Sequence, residues 1–165
     1  MKIVISPCLL GRPVRYDGKS KPAQLPAWFA DADTELIPFC PEVAAGLGTP
    51  RPPIELVAPA APAPDAAAPA IRVVRVHDRA DLTDRLAAAC DAMIAQLHAS
   101  PAPVDLFVLK ARSPSCGISS PLHDADGAEI GAAPGIWAAA VKAHFPQAKI
   151  ITEEELNSKT SAIEK

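Results

Sequence analysis

Three short apolar segments of this chain are each followed by a single cysteine, and this repeated pattern constrains the fold most strongly. The segments cover residues 2–6, 35–39 and 106–109, and the thiols that follow them belong to Cys8, Cys40 and Cys116. Short apolar runs that end in turns rich in Pro and Gly predict buried strands. Ligands of open α/β sheets bind outside the carboxyl ends of the strands, so the pattern predicts one shared site for the three thiols.

Helices and strands alternate along the rest of the chain. Helices are predicted over residues 23–30, 40–43, 81–99, 134–145 and 153–156, further strands over 71–76 and 149–151, and a small hairpin around Asp126-Gly127. The segment 81–99 has the clearest helical period, with apolar residues recurring on one face. This alternation predicts a single three-layer α/β/α (Rossmann-like) domain over residues 1–165, with a mainly parallel sheet.

The segment 58–70 differs from its surroundings in composition. It consists almost wholly of alanine and proline, with one aspartate. Such a segment has no periodic apolar face and is typical of a loop. Because predicted elements flank it on both sides, we interpret it as a loop insertion within the domain.

Composition excludes several classes of partner. The formal net charge is −3 and aromatic residues make up 4% of the chain, whereas nucleic-acid-binding surfaces are strongly basic and often use aromatic stacking. The first residues contain no long apolar run, so we expect no signal peptide, no membrane span and a cytoplasmic location. Thiols stay reduced in that compartment. The sequence leaves the oligomeric state open.

The four cysteines fall into two groups. Cys90 lies on the apolar face of the predicted helix 81–99, where a cysteine is typically a small core residue. Cys8, Cys40 and Cys116 follow strands and would suit a soft metal or an iron–sulfur cluster. No Cys-x-x-Cys pair of the kind common in zinc sites is present. Redox-active thiols and inert cysteines are the alternatives.

Two polar residues lie next to these thiols in the sequence. Glu42 comes two residues after Cys40, and Ser113 comes three residues before Cys116. A carboxylate there could act as general acid or base, and a hydroxyl could orient a substrate or transfer a proton. Alternatively, Glu42 interacts only with a helix dipole and Ser113 only with its own turn. Their placement beside two of the thiols keeps the functional interpretation open for both.

Further polar side chains occur in the same predicted loops and could bind a polar, planar ligand. The candidate substrate contacts are Arg15, Tyr16, Asp17, Lys19, Arg51, Arg112 and Ser115. For any one of the charged residues, a solvated loop position is the alternative. The chain has no phosphate-binding or dinucleotide motif, and its four histidines form no metal motif, although His123 follows the Cys116 loop.

Five blocks of sequence resemble a bacterial family long catalogued only as a domain of unknown function, which includes the thiouracil desulfidases. The blocks are SPCLLG at 6–11, RYDGK at 15–19, CPEV at 40–43, TPRPP at 49–53 and KARSPSCG at 110–117. The resemblance spans nearly the whole chain. It implies a [4Fe–4S] cluster held by three cysteines, which by motif position are Cys8, Cys40 and Cys116. It also implies two catalytic residues beside the cluster, which by motif position are Glu42 and Ser113. A further cysteine, frequent in the family's first loop, is replaced here by Val14.

The sequence therefore supports one main hypothesis and two alternatives. The resemblance implies an iron–sulfur-dependent desulfidase that removes sulfur from a small thiolated heterocycle such as 2-thiouracil and releases sulfide. The first alternative is a non-catalytic metal or iron–sulfur module, such as a sulfur carrier or sensor. The second is a thiol redox enzyme, which requires a depressed pKa at one cysteine, with Cys116 the first candidate.

Overall fold

The computed structural model describes residues 1–59 and 71–157, so the predicted insertion over 58–70 lies almost entirely outside the described residues. The strands are β1 (Lys2–Ile5), β2 (Glu35–Pro38), β3 (Ile54–Val57), β4 (Arg72–Arg75), β5 (Leu106–Leu109), β6 (Ser120–His123), β7 (Glu129–Ala133) and β8 (Lys149–Thr152). The helices are α1 (Pro41–Ala44), α2 (Thr83–Ala99) and α3 (Ile136–His144), with 3₁₀ turns at Pro7–Leu10 and Ala27–Ala30 and a helical stretch at 153–157.

The first sheet is parallel throughout and has the strand order β2-β1-β5-β8. The chain runs from β1 to β2 on one side and reaches β5 on the other side only later, so the order reverses between β1 and β5. Open α/β sheets bind ligands at such a reversal, outside the carboxyl ends of the strands. The predicted α/β fold with a mainly parallel sheet is confirmed.

Strands β1 and β5 are buried on both faces, which explains their continuous apolar sequence. Val4 and Phe107 pack on the side of α2 and α3, where Trp137 is fully buried. Ile5 and Val108 pack on the other side, with Phe29 of a 3₁₀ turn and Leu156 near the end of the described chain. The first sheet is thus covered on both faces.

The second sheet has the order β4-β3-β6-β7 and mixes antiparallel and parallel pairs. The predicted strand within 71–76 and the predicted hairpin around Asp126-Gly127 both belong to it. Strand β3 was not predicted. One face of the sheet packs through Leu56 and Val73 against Leu86 of α2.

One predicted helix is wrong over its first half. The structure has only a 3₁₀ turn at Ala27–Ala30 where a helix over 23–30 was predicted. Pro26 explains the difference, since it lies inside the predicted helix and a proline lacks the N–H donor that a helix interior needs. Within the described residues, none of the helices is both long and apolar enough to cross a membrane.

Candidate active site

A pocket of about 460 Å³ opens where β1, β2 and β5 end. Most of the candidate residues from the sequence lie in its wall: Cys8, Cys40, Cys116, Glu42, Ser113, Arg15, Tyr16, Arg51 and Arg112. Three other candidates, Asp17, Lys19 and Ser115, are not among the pocket-lining residues. The structure thus brings the three thiols together at one edge of the first sheet.

Each thiol is placed by the strand that precedes it. Cys8 lies in the 3₁₀ turn after β1, Cys40 directly precedes α1, and Cys116 lies in a turn after β5. Backbone hydrogen bonds extend the strand pairing almost to the thiols, for example from the Ser6 N–H to the Val108 carbonyl at 3.0 Å. The Phe39 N–H likewise donates to the Ile5 carbonyl at 3.0 Å. The relative positions of the thiols therefore follow from the pairing of the strands.

The turn that carries Cys116 is fixed by the start of α3. The backbone N–H groups of Gly135 and Trp137 donate to the carbonyls of Gly117 and Ser115, both at 2.8 Å. These N–H groups lie at the helix N-terminus and would otherwise lack partners within the helix. A Cβ at position 135 would lie 2.7 Å from the Pro114 carbonyl oxygen, so only glycine permits this contact. The turn is thereby anchored on the hydrophobic core.

Burial holds the thiols in their neutral form when no metal is bound. It raises the pKa of Cys8 to about 11, and the nearby Cys40 contributes to this shift. Burial also raises the pKa of Cys40, although N–H groups at the start of α1 oppose it, and it raises the pKa of Cys116 well above the usual value. A redox enzyme needs the opposite shift, so these environments argue against the thiol redox alternative.

The three pocket thiols are donors of the kind that iron–sulfur clusters use. Across residues 1–59 and 71–157, no three His, Cys, Asp or Glu side chains converge closely enough to hold one metal ion. An iron–sulfur cluster binds its thiolates through different irons, so its ligands stand farther apart than those of one ion. Cys8, Cys40 and Cys116 line one pocket, influence one another's pKa and are all soft donors. The residues present therefore fit such a group.

Glu42 is held in one orientation by two buried partners. The Nε of Arg51 donates to Glu42 Oε2 at 2.6 Å, and the hydroxyl of Ser115 donates to Glu42 Oε1. Arg51 also donates to the Gly48 carbonyl at 2.8 Å and contacts the Thr49 hydroxyl at 3.2 Å. Removing one partner of such a buried pair leaves an uncompensated charge, so the network is a strong constraint on the carboxylate.

Ser113 is connected to Glu42 through Ser115. The two serine hydroxyl oxygens are 3.1 Å apart, and Ser113 Oγ also accepts the N–H groups of Ser115 at 3.3 Å and Cys116 at 3.2 Å. Because Ser115 gives its single hydroxyl hydrogen to Glu42, the hydrogen between the serines must come from Ser113. The result is a continuous hydrogen-bonded chain from Ser113 through Ser115 to Glu42.

Sequence reasoning missed the part of the pocket that the second sheet and its flanking segments provide. The missed lining residues include Pro53, Ile54, Glu55, Val76, Pro121 and His123. Strand β3 pairs with β6 in parallel, with Val57 opposite His123. His123 follows the Cys116 loop in the sequence, but only the pairing of β3 with β6 reveals its place beside Glu55.

Comparison with known proteins gives two matches that extend over this fold. The sequence model of a family described as 2-thiouracil desulfurase matches residues 3–155. A solved structure described as the [4Fe-4S]-dependent thiouracil desulfidase TudS is 30% identical, with a TM-score of 0.67, and the match covers 99% of this chain and 97% of that one. No curated protein matches the chain. Both matches include the strands that lead to the three thiols.

Proposed function

Because the chain belongs to the 2-thiouracil desulfurase family, we propose that its pocket hydrolyses the carbon–sulfur bond of 2-thiouracil or a closely similar thiolated pyrimidine with the help of an iron–sulfur cluster. Family membership confirms the predicted desulfidase class. One observation carries the proposal further: the pocket at the strand ends is lined by three thiols and by both ends of the chain from Ser113 to Glu42.

We assign the cluster to Cys8, Cys40 and Cys116. Three thiolates leave one iron of a [4Fe–4S] cluster without a protein ligand, and when bound the cluster would supply that iron as a Lewis acid for a thiocarbonyl sulfur. The solved relative is described as dependent on such a cluster, which supports the assignment. Cys90 packs in the core with Ile94 and Leu97 and takes no part.

The reaction itself balances without electron transfer. Water replaces sulfur at the ring carbon, so a carbonyl and hydrogen sulfide form from a thiocarbonyl and water. Both hydrogens of the water end on sulfur, and one of them needs a temporary acceptor. Glu42 lines the pocket, and we assign it as the general base that takes this proton and returns it.

Arg51 and the two serines keep the general base in position. The Arg51 guanidinium fixes one carboxylate oxygen, while Ser115 fixes the other and links it to Ser113 at the pocket wall. Ser113 presents its hydroxyl oxygen to the pocket, and we assign it to orient the water or the heterocycle. Positioning of this kind accounts for a large part of most enzymatic rate enhancements.

The other candidate contacts fall into two groups. Arg15, Tyr16 and Arg112 line the pocket and are assigned to the heterocycle or its substituents. Asp17 supports Arg15 from outside, with a 3.5 Å ion pair. We also propose that residues 1–165 form one desulfidase-like domain and that the protein works in the cytoplasm, where its four free cysteines would stay reduced.

The experiment is turnover of 2-thiouracil by anaerobically reconstituted protein. We expect uracil and sulfide to form in equal amounts without an external reductant or oxidant. Glu42→Gln, which keeps the size of the side chain, should retain the iron and turn over much more slowly than the parent. Cluster-loaded protein that forms neither product, or a Glu42→Gln variant as active as the parent, would refute the assignment.

A further inference from the structure

The second sheet turns one of its faces toward the pocket. Successive residues of a strand point to opposite faces, so Leu56 of β3 packs into the core while Glu55 lines the pocket. Strand β6 repeats this arrangement, with Leu122 packed against the core and His123 lining the pocket. Glu55 and His123 therefore share one face and form a wall that contains no cysteine.

The contacts of His123 determine which of its ring nitrogens carries hydrogen. Its Nδ1 lies 3.3 Å from the Leu56 carbonyl oxygen and 3.7 Å from Glu55 Oε2. Both neighbours are acceptors, so Nδ1 must be the donor, and in the neutral ring Nε2 is then an acceptor. No hydrogen bond to Nε2 is formed within the part of the chain that the structure describes. Glu55 is in turn held by Arg79.

A thiolated pyrimidine of the 2-thiouracil type needs acceptors beside its sulfur. The thiocarbonyl carbon lies between two ring nitrogens, each of which carries hydrogen. The cationic side chains in the pocket wall only donate hydrogen bonds, and these are Arg15, Lys21, Arg51, Lys110 and Arg112. Glu42 is already assigned to the water as general base, and its oxygens also accept bonds from Arg51 and Ser115. The Nε2 of His123 is an acceptor with no such prior bond.

We propose that His123 accepts a ring N–H of the substrate through Nε2, with its Nδ1–H donated to the Leu56 carbonyl and with Glu55 as the positioning residue whose negative charge favours the hydrogen on Nδ1. This inference rests on the proposed function, since it names the group that recognises the substrate of that reaction. It assigns chemistry to the thiol side of the pocket and recognition of the pyrimidine edge to the second sheet. N-methylation of the recognised nitrogen would remove the donor and weaken binding.

Binding of uracil to the cluster-loaded protein tests this contact without turnover, because uracil has the same ring N–H groups and no sulfur. We expect His123→Phe to weaken uracil binding about tenfold in calorimetry, the usual size of one lost hydrogen bond to a ligand. His123→Gln keeps an acceptor and should restore most of the affinity. His98→Phe is the matched control, since His98 is an exposed residue stacked on Phe145 outside this pocket.

N-methylated substrates identify the contact more closely. For the parent protein, one of 1-methyl- and 3-methyl-2-thiouracil should have a kcat/KM about tenfold or more below that of 2-thiouracil, mainly through KM. In His123→Phe this difference should vanish, because the lost acceptor can no longer discriminate. Unchanged discrimination in His123→Phe, or equal uracil affinity in the parent and this variant, would overturn the proposal.

The role of Glu55 has its own spectroscopic signature. In the nitrogen NMR spectrum of protein with labelled histidine, the neutral His123 ring should carry its hydrogen on Nδ1. Glu55→Ala should shift the ring toward the other tautomer, and a parent spectrum with hydrogen on Nε2 would overturn the assignment.

The binding and turnover experiments separate this contact from the proposed reaction. If the protein does not turn over 2-thiouracil but its uracil binding still depends on His123, the proposed reaction is refuted and the contact stands. A parent protein that does not bind uracil would refute the contact itself.

Discussion

The two sheets of this protein contribute to one pocket in different ways. The first sheet provides its strand ends: β1, β2 and β5 stop at a common edge, and a thiol follows each of them. The second sheet provides one of its faces, which carries Glu55 and His123, while Leu56 and Leu122 of the same strands pack into the core on the other face. Groups at strand ends share an edge because parallel strands end together, whereas groups on a face depend on the register between strands. We call the part of the pocket with Cys8, Cys40, Cys116 and Glu42 the reactive side, and the part with Glu55 and His123 the recognition side.

The largest effect should come from the thiols of the first sheet. Replacing any one of the three pocket cysteines by serine removes a thiolate from a three-ligand set, so cluster binding and turnover should both fall below detection. Iron analysis after anaerobic reconstitution measures the first effect, and sulfide release measures the second.

Cys90→Ser is the matched control for these variants. It places the same change on the apolar face of α2, where Cys90 is buried in the core. The variant should lose some stability and keep its full iron content. Loss of iron in Cys90→Ser, or retention of iron in the Cys8, Cys40 or Cys116 variant, would remove the distinction between the strand-end thiols and the core thiol.

The next largest effect should come from Glu42. Glu42→Gln keeps a partner for Arg51 and Ser115 but cannot take a proton, so kcat should fall about 10²- to 10⁴-fold, the usual contribution of general base catalysis. KM should change little. If the KM of this variant rises while its kcat is unchanged, Glu42 acts in substrate recognition and not as the general base.

Thiol reactivity in the metal-free protein gives the third prediction. Burial raises the pKa of Cys8 to about 11, two units above the ordinary value of 9.0. At about pH 8 its alkylation should therefore be about 100-fold slower than in the urea-unfolded chain. Because the folded pKa is the higher one, the metal-free protein should also lose stability as the pH rises from 9 through 11. Alkylation as fast as in the unfolded chain would support the redox alternative.

The smallest predicted effect concerns Ser115. Ser115→Ala removes one of two bonds that orient Glu42 and breaks the link to Ser113, so kcat should fall about tenfold. KM for 2-thiouracil should stay close to its parent value, since Ser115 is fully buried and does not line the pocket. Ser115→Thr keeps the hydroxyl and should recover part of the loss, whereas a purely structural role would give no recovery.

The reactive side could be predicted from the sequence because its signals are local. Each thiol follows an apolar segment within seven residues, and Glu42 and Ser113 lie close in sequence to two of the thiols. Parallel pairing then brings the strand ends together without further information. The bridge from Ser115 to Glu42 could not be found in this way, because it joins residues 73 positions apart.

The recognition side gave weaker signals. Strand β3 has four residues and contains a glutamate, so no long apolar run marks it, and the two prolines directly before it favour a loop. Its partner β6 begins 63 residues after β3 ends, and only the register of this long-range pair places His123 beside Glu55. The general class of the fold was predictable, whereas the residues facing each other across the second sheet were not.

The central claim is that Cys8, Cys40 and Cys116 together hold an iron–sulfur cluster at the edge of the first sheet. The most direct measurement is the iron and acid-labile sulfide content of the parent protein purified without oxygen. We expect brown protein with iron and labile sulfide in a one-to-one ratio, both lost in the Cys40→Ser variant. Colourless, iron-free protein after anaerobic reconstitution would contradict the account.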